Sequence, residues 1–292
     1  MLTINHIKNI AKKRFAKVAI GVDSEREDTI HKIITSSITA QKNGFAKAII
    51  VGNSLKIRGY LSNELEVIHS DKPWSKIVNL VKNNYVDAGV RGSLSATKVI
   101  KEVKKCFKIT HIHRLALLST SKGELFFFAP VGIDEGMDLI DKQIFVNNAL
   151  KIHKKLDIEP RIAILSGGRK EDFGRNNKVD DTLKEGEFLT NIIKERSTSH
   201  VKHYGILIED AITEKATFIL APDGINGNLI FRTLEFLGDG KGIGAIYTDL
   251  IPKIFVDVSR AMTNYVDTLA FASFMSAAFR DMPNFSERFK PL

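Results

Sequence analysis

"RIAILSGGRKEDFGRNNKVDDTL", residues 161–183, decides how the chain is read. Apolar letters run to Leu165, a glycine pair with Arg169 and Lys170 follows at once, and from Val179 the apolar residues return at helical spacing. A buried strand that turns through exposed, positively charged backbone into a helix is one step of an α/β alternation.

The step repeats outward in both directions. Strands are expected at "KVAIGV", "AIIVG", "LEVIHS", "VDAGVRG", "RLALLS" and "ELFFFAP" before it, and at "YGILIE", "ATFILAP", "GIGAIY" and "KIFVDVS" after it. Apolar spacing of three and four predicts helices over 25–42, 72–84, 93–106, 138–155, 179–196, 226–237 and 263–279. Asp23 or Ser24 is placed to cap the first. The pattern predicts an α/β fold with mainly parallel sheets. Eleven strands are too many for one simple wound sheet, so two domains are expected. Two apolar runs around Ser121-Lys122-Gly123 read as an antiparallel hairpin, and the change of domain is placed there. Residues 1–115 with 262–292 form the first expected α/β domain and 116–261 the second. With neither a fixed-period repeat nor a low-complexity linker, the domains are expected to share a firm interface.

A chain of 292 residues, 43% hydrophobic and 26% charged, has the size and composition of a soluble globular protein. No apolar run approaches the ~20 residues that span a bilayer, and "MLTINHIKNIAKKRF" lacks the apolar core of a secretory signal. A cytoplasmic protein with no membrane partner is expected. Cys106 is the only cysteine, which excludes an internal disulfide and a clustered thiolate metal site. The net charge of +9 favours anionic partners. Its lysines are scattered over "KNIAKKRFAK", "KEVKKCFK" and "KIHKKLD" as solvated faces, with no aromatic-interleaved stripe, so nucleic acid is not the expected partner.

In open α/β sheets ligands bind beyond the carboxyl ends of strands. Ser166, Gly167, Gly168, Arg169 and Lys170 stand at one such end. Glycines let N–H groups approach an oxyanion, the following helix N-terminus adds positive potential, and arginine supplies a fork of donors. The competing reading is a surface turn whose arginines pair with Glu171 and Asp172. "VRGSLSAT" repeats the logic with Arg91 and Ser93, where a serine is also simply a helix cap. "LAPDGINGN" delivers Asn226 and Asn228 into the first turn of a helix, and Asp223 either meets the ligand or caps that helix. Arg114 enters a strand at the domain boundary, within reach of an anion. The glycines of "GDGKGIGAIY" follow a helix and lead into a strand, the reverse of a dinucleotide fingerprint, and read as a flexible connection. His111 with His113 lack a third ligand nearby in sequence, and Asp134, Glu135 and Asp138 read as acids at a helix start, which the macrodipole favours, so no metal is expected. "AIGVDSERED" has Gly21 alone where S-adenosylmethionine enzymes carry an acidic glycine-rich loop.

Residues 216–263 carry a strand, Pro222-Asp223, Gly227-Asn228, a helix, Gly242 to Gly244, and a strand ending in Asp257-Val258-Ser259-Arg260. That order resembles the phosphate acetyl/butyryltransferase superfamily. "FFFAPVGIDEG" and "ILSGGRKEDFGRNNKVDDTL" resemble, closer still, the methyltransferase-related Mtx subunit X proteins of methanogens. The resemblance implies a two-domain fold like that of isocitrate and isopropylmalate dehydrogenases, with the site in the interdomain cleft and commonly a homodimer. It implies phosphate or acyl phosphate as the anionic small molecule, coenzyme A as the acceptor, no tightly bound cofactor, and an alternative role as an accessory or regulatory subunit with a methyltransferase partner. By resemblance, Arg260 stabilises charge developing on the acyl phosphate, Ser259 positions the reacting group, and Ser166 with Lys170 lines the phosphate side. The acid proposed as thiol base falls on Val266 in this sequence, and its neighbour Asp267 is the carboxylate at hand.

Overall fold

β-branched and aliphatic runs become strands where glycine, asparagine or charge stops them, and the longer amphipathic stretches between them become helices. The structure is a computed structural model that describes residues 2–23, 26–60, 63–197, 199–259, 262 and 264–280. In chain order its main elements are α1 (Ile4–Arg14), β1 (Ala16–Val22), α2 (Glu27–Lys42), β2 (Ala46–Gly52), β3 (Glu66–His69), α3 (Pro73–Lys82), β4 (Ala88–Val90) and α4 (Ala96–Phe107). There follow β5 (Arg114–Ser119), β6 (Leu125–Ala129), α5 (Leu139–Lys155), β7 (Arg161–Leu165), α6 (Asn177–Arg196), β8 (His200–Gly205), α7 (Ile208–Thr213), β9 (Phe218–Leu220) and α8 (Gly224–Leu237). The chain closes with β10 (Lys241–Tyr247), β11 (Ile254–Asp257) and α9 (Val266–Phe279).

These elements form two units. The first joins Thr3–Ile112 to residues 243–280. Its strands run in the order β3-β2-β1-β4-β11-β10, with β3 to β11 parallel and β10 antiparallel to β11. The parallel pairing of Ile254, Phe255 and Val256 with Ala88, Gly89 and Val90 ties β11 to the N-terminal segment. Residues 243–261, which the sequence reading carried into the second domain, therefore contain strands of the first unit. One face of the sheet packs on α3 and α4 through Ile77, Val81, Val99, Val103 and Phe255, all buried. Each such side chain contributes on the order of 1.5–3 kcal/mol of burial. α9 is buried almost all round, and its Ser273 hydroxyl accepts from the N–H of Ala16 at 3.2 Å.

The second unit is built on His113–Gly242. β5 and β6 form the expected antiparallel hairpin, with Ala116 opposite Phe128 and Gly123 in its turn. From β6 the order continues β9, β7, β8, all parallel, so the carboxyl ends of four strands share one edge with the start of β5.

Three local expectations are corrected. "YGILIE" is not a strand: the strand is His200–Gly205, and the apolar letters after it lead into α7. The helix expected from residue 25 starts at Glu27 with Arg26 as its N-cap and no side-chain cap, while Ser24 lies outside the described residues. Gly242 and Gly244 belong to β10 rather than to a flexible connection. α1, hidden among lysines, buries Ile7 and Ala11 and is capped by Thr3. Among the described residues no helix is long and apolar enough to cross a membrane.

Candidate functional site

At the end of β7 the chain turns through the glycine pair. Gly167 N–H donates to the Thr182 hydroxyl at 2.9 Å, which ties the loop to α6. Arg169 N–H donates to Asp172 Oδ2 at 2.9 Å, and the Arg175 guanidinium pairs with Asp172 Oδ1 at 2.5 Å. Those two contacts, the backbone N–H first, hold the Asp172 carboxyl below its usual range. The turn is thus braced by its own acid, and the arginine that Asp172 pairs is Arg175. Arg169 and Lys170 have no carboxylate within ion-pair distance among the described residues, so their charges stay available to a ligand.

Ser166 is 2% exposed, and its hydroxyl lies 2.9 Å from His203 Nε2. On the other side of the ring, Nδ1 lies 3.4 Å from Glu187 Oε2. Serine at the end of β7, histidine on β8 and glutamate on α6 therefore make one hydrogen-bonded chain. Burial pulls the His203 pKa down and the Glu187 carboxylate opposes it, so the ring is neutral near pH 7. The Ser166 hydroxyl also donates to the Gly168 carbonyl at 3.3 Å, so it is held between the imidazole and its own glycine turn. Gly186, inside α6, makes this possible. A Cβ there would lie 2.6 Å from His203 Nε2.

Arg114, at the start of β5, is committed to Glu135 at 2.5 Å, and the other Glu135 oxygen accepts from Gly132 N–H at 3.1 Å. Burial pushes the Glu135 carboxyl up against the pull of Arg114. The pair fixes the turn after β6 on the N-terminal end of α8. There Gly224 and Gly227 let backbones touch: a Cβ on Gly227 would collide with the Pro130 carbonyl, and one on Gly224 with that of Gly132. Asn228 Nδ2 donates to the Val131 carbonyl at 2.9 Å. Asp223 caps α8, taking the Asn226 N–H at 2.8 Å and its side-chain amide at 2.7 Å.

In the first unit the carboxyl ends of β1, β4 and β11 lie side by side. Arg91, 3% exposed, pairs through Nε with Asp257 and donates to the carbonyls of Leu94, at 2.7 Å, and Val258. Its position makes it the support of the segment that leads to Ser259. The Ser93 hydroxyl accepts from Asp23 N–H at 2.9 Å, and Ser95 rather than Ser93 caps α4. Ser259 is half-buried. Arg260 lies outside the described residues. Asp267, in the first turn of α9, pairs with Lys8 of α1 at 2.7 Å. The Tyr265 hydroxyl is buried with no hydrogen-bond partner among the described residues.

Ser166 to Lys170, Arg114, Asp223, Asn226 and Asn228 thus share one strand edge of the second unit. Arg91, Ser93 and Ser259 share one edge of the first. His203, Glu187 and Gly186 were not anticipated. "HVKHYG" alternates polar letters, and the apolar run "YGILIE" starts four residues later, so the histidine carries no signal in the sequence. Among the described residues no three His, Cys, Asp or Glu side chains are placed to hold a metal ion.

No family model matches the chain. A protein of Methanosarcina barkeri named "Putative methyltransferase mtx subunit X" is 42% identical over 266 residues, 91% of this chain and 95% of that protein. The phosphate butyryltransferase of Clostridium acetobutylicum is 23% identical over 301 residues, 92% and 96% of the two chains. Among solved structures, a branched-chain phosphotransacylase from Enterococcus faecalis superposes with a TM-score of 0.66 at 18% identity, covering 89% of this chain and 99% of that one. The fold is therefore that of the phosphotransacylases, and the chain belongs to the Mtx subunit X family, whose more distant sequence relatives are phosphate acyltransferases.

Proposed function

We propose that the protein is a transferase of the phosphotransacylase type that binds phosphate or an acyl phosphate at its strand-end loops. The observation that carries this reading is the glycine turn after β7, where Arg169 and Lys170 keep unpaired charges beside a serine hydroxyl fixed by His203. Cations and oriented donors at a strand end suit a phosphoryl group. Ser259 and Arg260 follow the Asp257 that Arg91 anchors, so Arg91 acts on the ligand through the segment it supports. In the transfer, a coenzyme A thiolate attacks the acyl carbonyl carbon, the carbonyl–oxygen bond to phosphate breaks, and inorganic phosphate leaves. Arg260 neutralises the charge that gathers on the departing oxygens. Asp267, paired with Lys8, is the carboxylate available on the thiol side. The test is thioester formation from acetyl, butyryl and longer acyl phosphates with coenzyme A.

The names of the relatives favour a second reading, an accessory subunit of a methyl-transfer system that keeps the ligand loops without turnover. Co-purification of a methyltransferase with the native protein supports it, whereas acyl transfer by the isolated chain removes it.

α8 supports a homodimer. It is a fourteen-residue helix in which Gly224 and Gly227 are the buried residues, while Ile225, Leu229 and Leu237 are exposed, Leu237 by 82%. A helix this apolar needs a partner surface. L229E is expected to halve the sedimenting mass of a dimeric wild-type protein, and a wild-type monomer at micromolar concentration would remove the homodimer.

A further inference from the structure

A cavity of about 1000 Å³ lies in the second unit between α6, the turn after β7 and the end of β8. α6 presents Leu183, Lys184, Glu187, Phe188 and Asn191 to it, positions that share one face of a helix. Phe173, from the turn, and Phe188 stand 56% and 53% exposed, and both border the same hollow. Isolated exposed aromatics are ordinary, but two at one cavity with Tyr204 and Leu207 in its lining make an apolar seat.

The charge around that seat is net positive. Arg169, Lys170 and Lys184 line the cavity with no carboxylate at ion-pair distance among the described residues. Lys184 Nζ stands 5.4 Å from the centre of the Phe173 ring, so cation and ring face the same volume. Two carboxylates, Glu171 and Glu187, also line the cavity, Glu187 turned to His203 at 3.4 Å, so the three cations outnumber them by one. The Tyr204 hydroxyl is spent on Glu214 at 3.0 Å, so tyrosine offers the ligand its ring and not its donor. Asn191 is exposed and supplies an amide donor and acceptor for a ring edge.

The geometry points to a binding site for an aromatic phosphate: a planar ring seated on Phe173 and Phe188, with its phosphate on Arg169, Lys170 and Lys184. The guanidinium fork of Arg169 matches two phosphate oxygens, and the lysines answer the remaining charge. The volume accommodates a mononucleotide with room to spare. This goes beyond the transfer chemistry, since it needs neither Arg260 nor turnover, although it shares Arg169 and Lys170 with the glycine turn.

The test is a fluorescence titration of the full chain with N-methylanthraniloyl-ADP, competed by unlabelled AMP, by adenosine and by inorganic phosphate. Saturable binding is expected, displaced by AMP at concentrations where neither adenosine nor phosphate alone displaces it. F188A and K184Q, changes at solvent-facing positions, are each expected to weaken binding about tenfold, roughly the loss of one ring contact or one charge-assisted bond. R260A is expected to leave it unchanged. Absence of saturable binding, or binding indifferent to both F188A and K184Q, overturns the proposal. Loss on R260A with retention in F188A places the probe at the transfer site and overturns the proposal while supporting the transfer reading. Ring-dependent binding by a protein that forms no thioester leaves this site standing and removes that reading.

Discussion

R91M is expected to lower the stability of the protein by about 3–5 kcal/mol, the cost of leaving a buried charge without its partner. Arg91 and Asp257 are 3% and 6% exposed, and the guanidinium also satisfies the carbonyls of Leu94 and Val258. Methionine fills much of the same space and offers no donor. Asp257 would then lose the guanidinium while keeping the Val258 N–H at 2.8 Å, and its buried charge would be met less well. The midpoint of denaturant unfolding reads the effect directly. A double variant, R91M with D257L, is expected to recover a large part of the loss, because both members of the ion pair are removed together. A loss under about 1 kcal/mol in R91M would mean that the pair is solvated and supports nothing.

G186A is expected to destabilise by about 1–2 kcal/mol although alanine is the better helix former. Propensity alone favours alanine by about 0.8–1 kcal/mol within a helix. Against that gain stands a Cβ 2.6 Å from His203 Nε2 and 3.0 Å from Cε1. Overpacking of this kind costs about 1–3 kcal/mol, and turning the ring away sacrifices its buried bond to Ser166, about 1 kcal/mol more. The sign is expected to reverse when the obstacle is removed: in an H203A background, G186A should stabilise by a few tenths to about 1 kcal/mol. A G186A protein more stable than wild type would show that the ring gives way freely and that the Ser166 hydroxyl is not held by it.

What could be read in advance follows from the range of the interactions. β7 and the glycine turn were legible because a run of aliphatic residues stopped by Gly167 and Gly168 has one local reading. The hairpin of β5 and β6 was legible for the same reason. β8 was not: His200 and Lys202 point to solvent, so the strand carries few apolar letters, while Ile206 and Leu207 beyond it mimic one. The grouping of β11 with β4 depends on a pairing across 166 residues, which no local spacing encodes. The site divides along the same line. Strand-end residues such as Arg169 and Lys170 announce themselves, and Asp223 sits where a helix cap belongs. The partners that fix them do not, since Arg91 finds Asp257, Arg114 finds Glu135 and Ser166 finds His203 only through the tertiary fold. Arginines that looked alike in sequence thereby separate into supports, Arg91 and Arg114, and an available charge, Arg169.

Thioester formation from acyl phosphates and coenzyme A by the purified wild-type chain, set beside R260A, tests the central claim most directly. The account predicts a thioester from at least one acyl phosphate of the series and its loss by about a hundredfold or more in R260A, the scale of removing one group that stabilises a developing oxyanion. No thioester from any acyl phosphate, or an R260A protein as active as wild type, would contradict it.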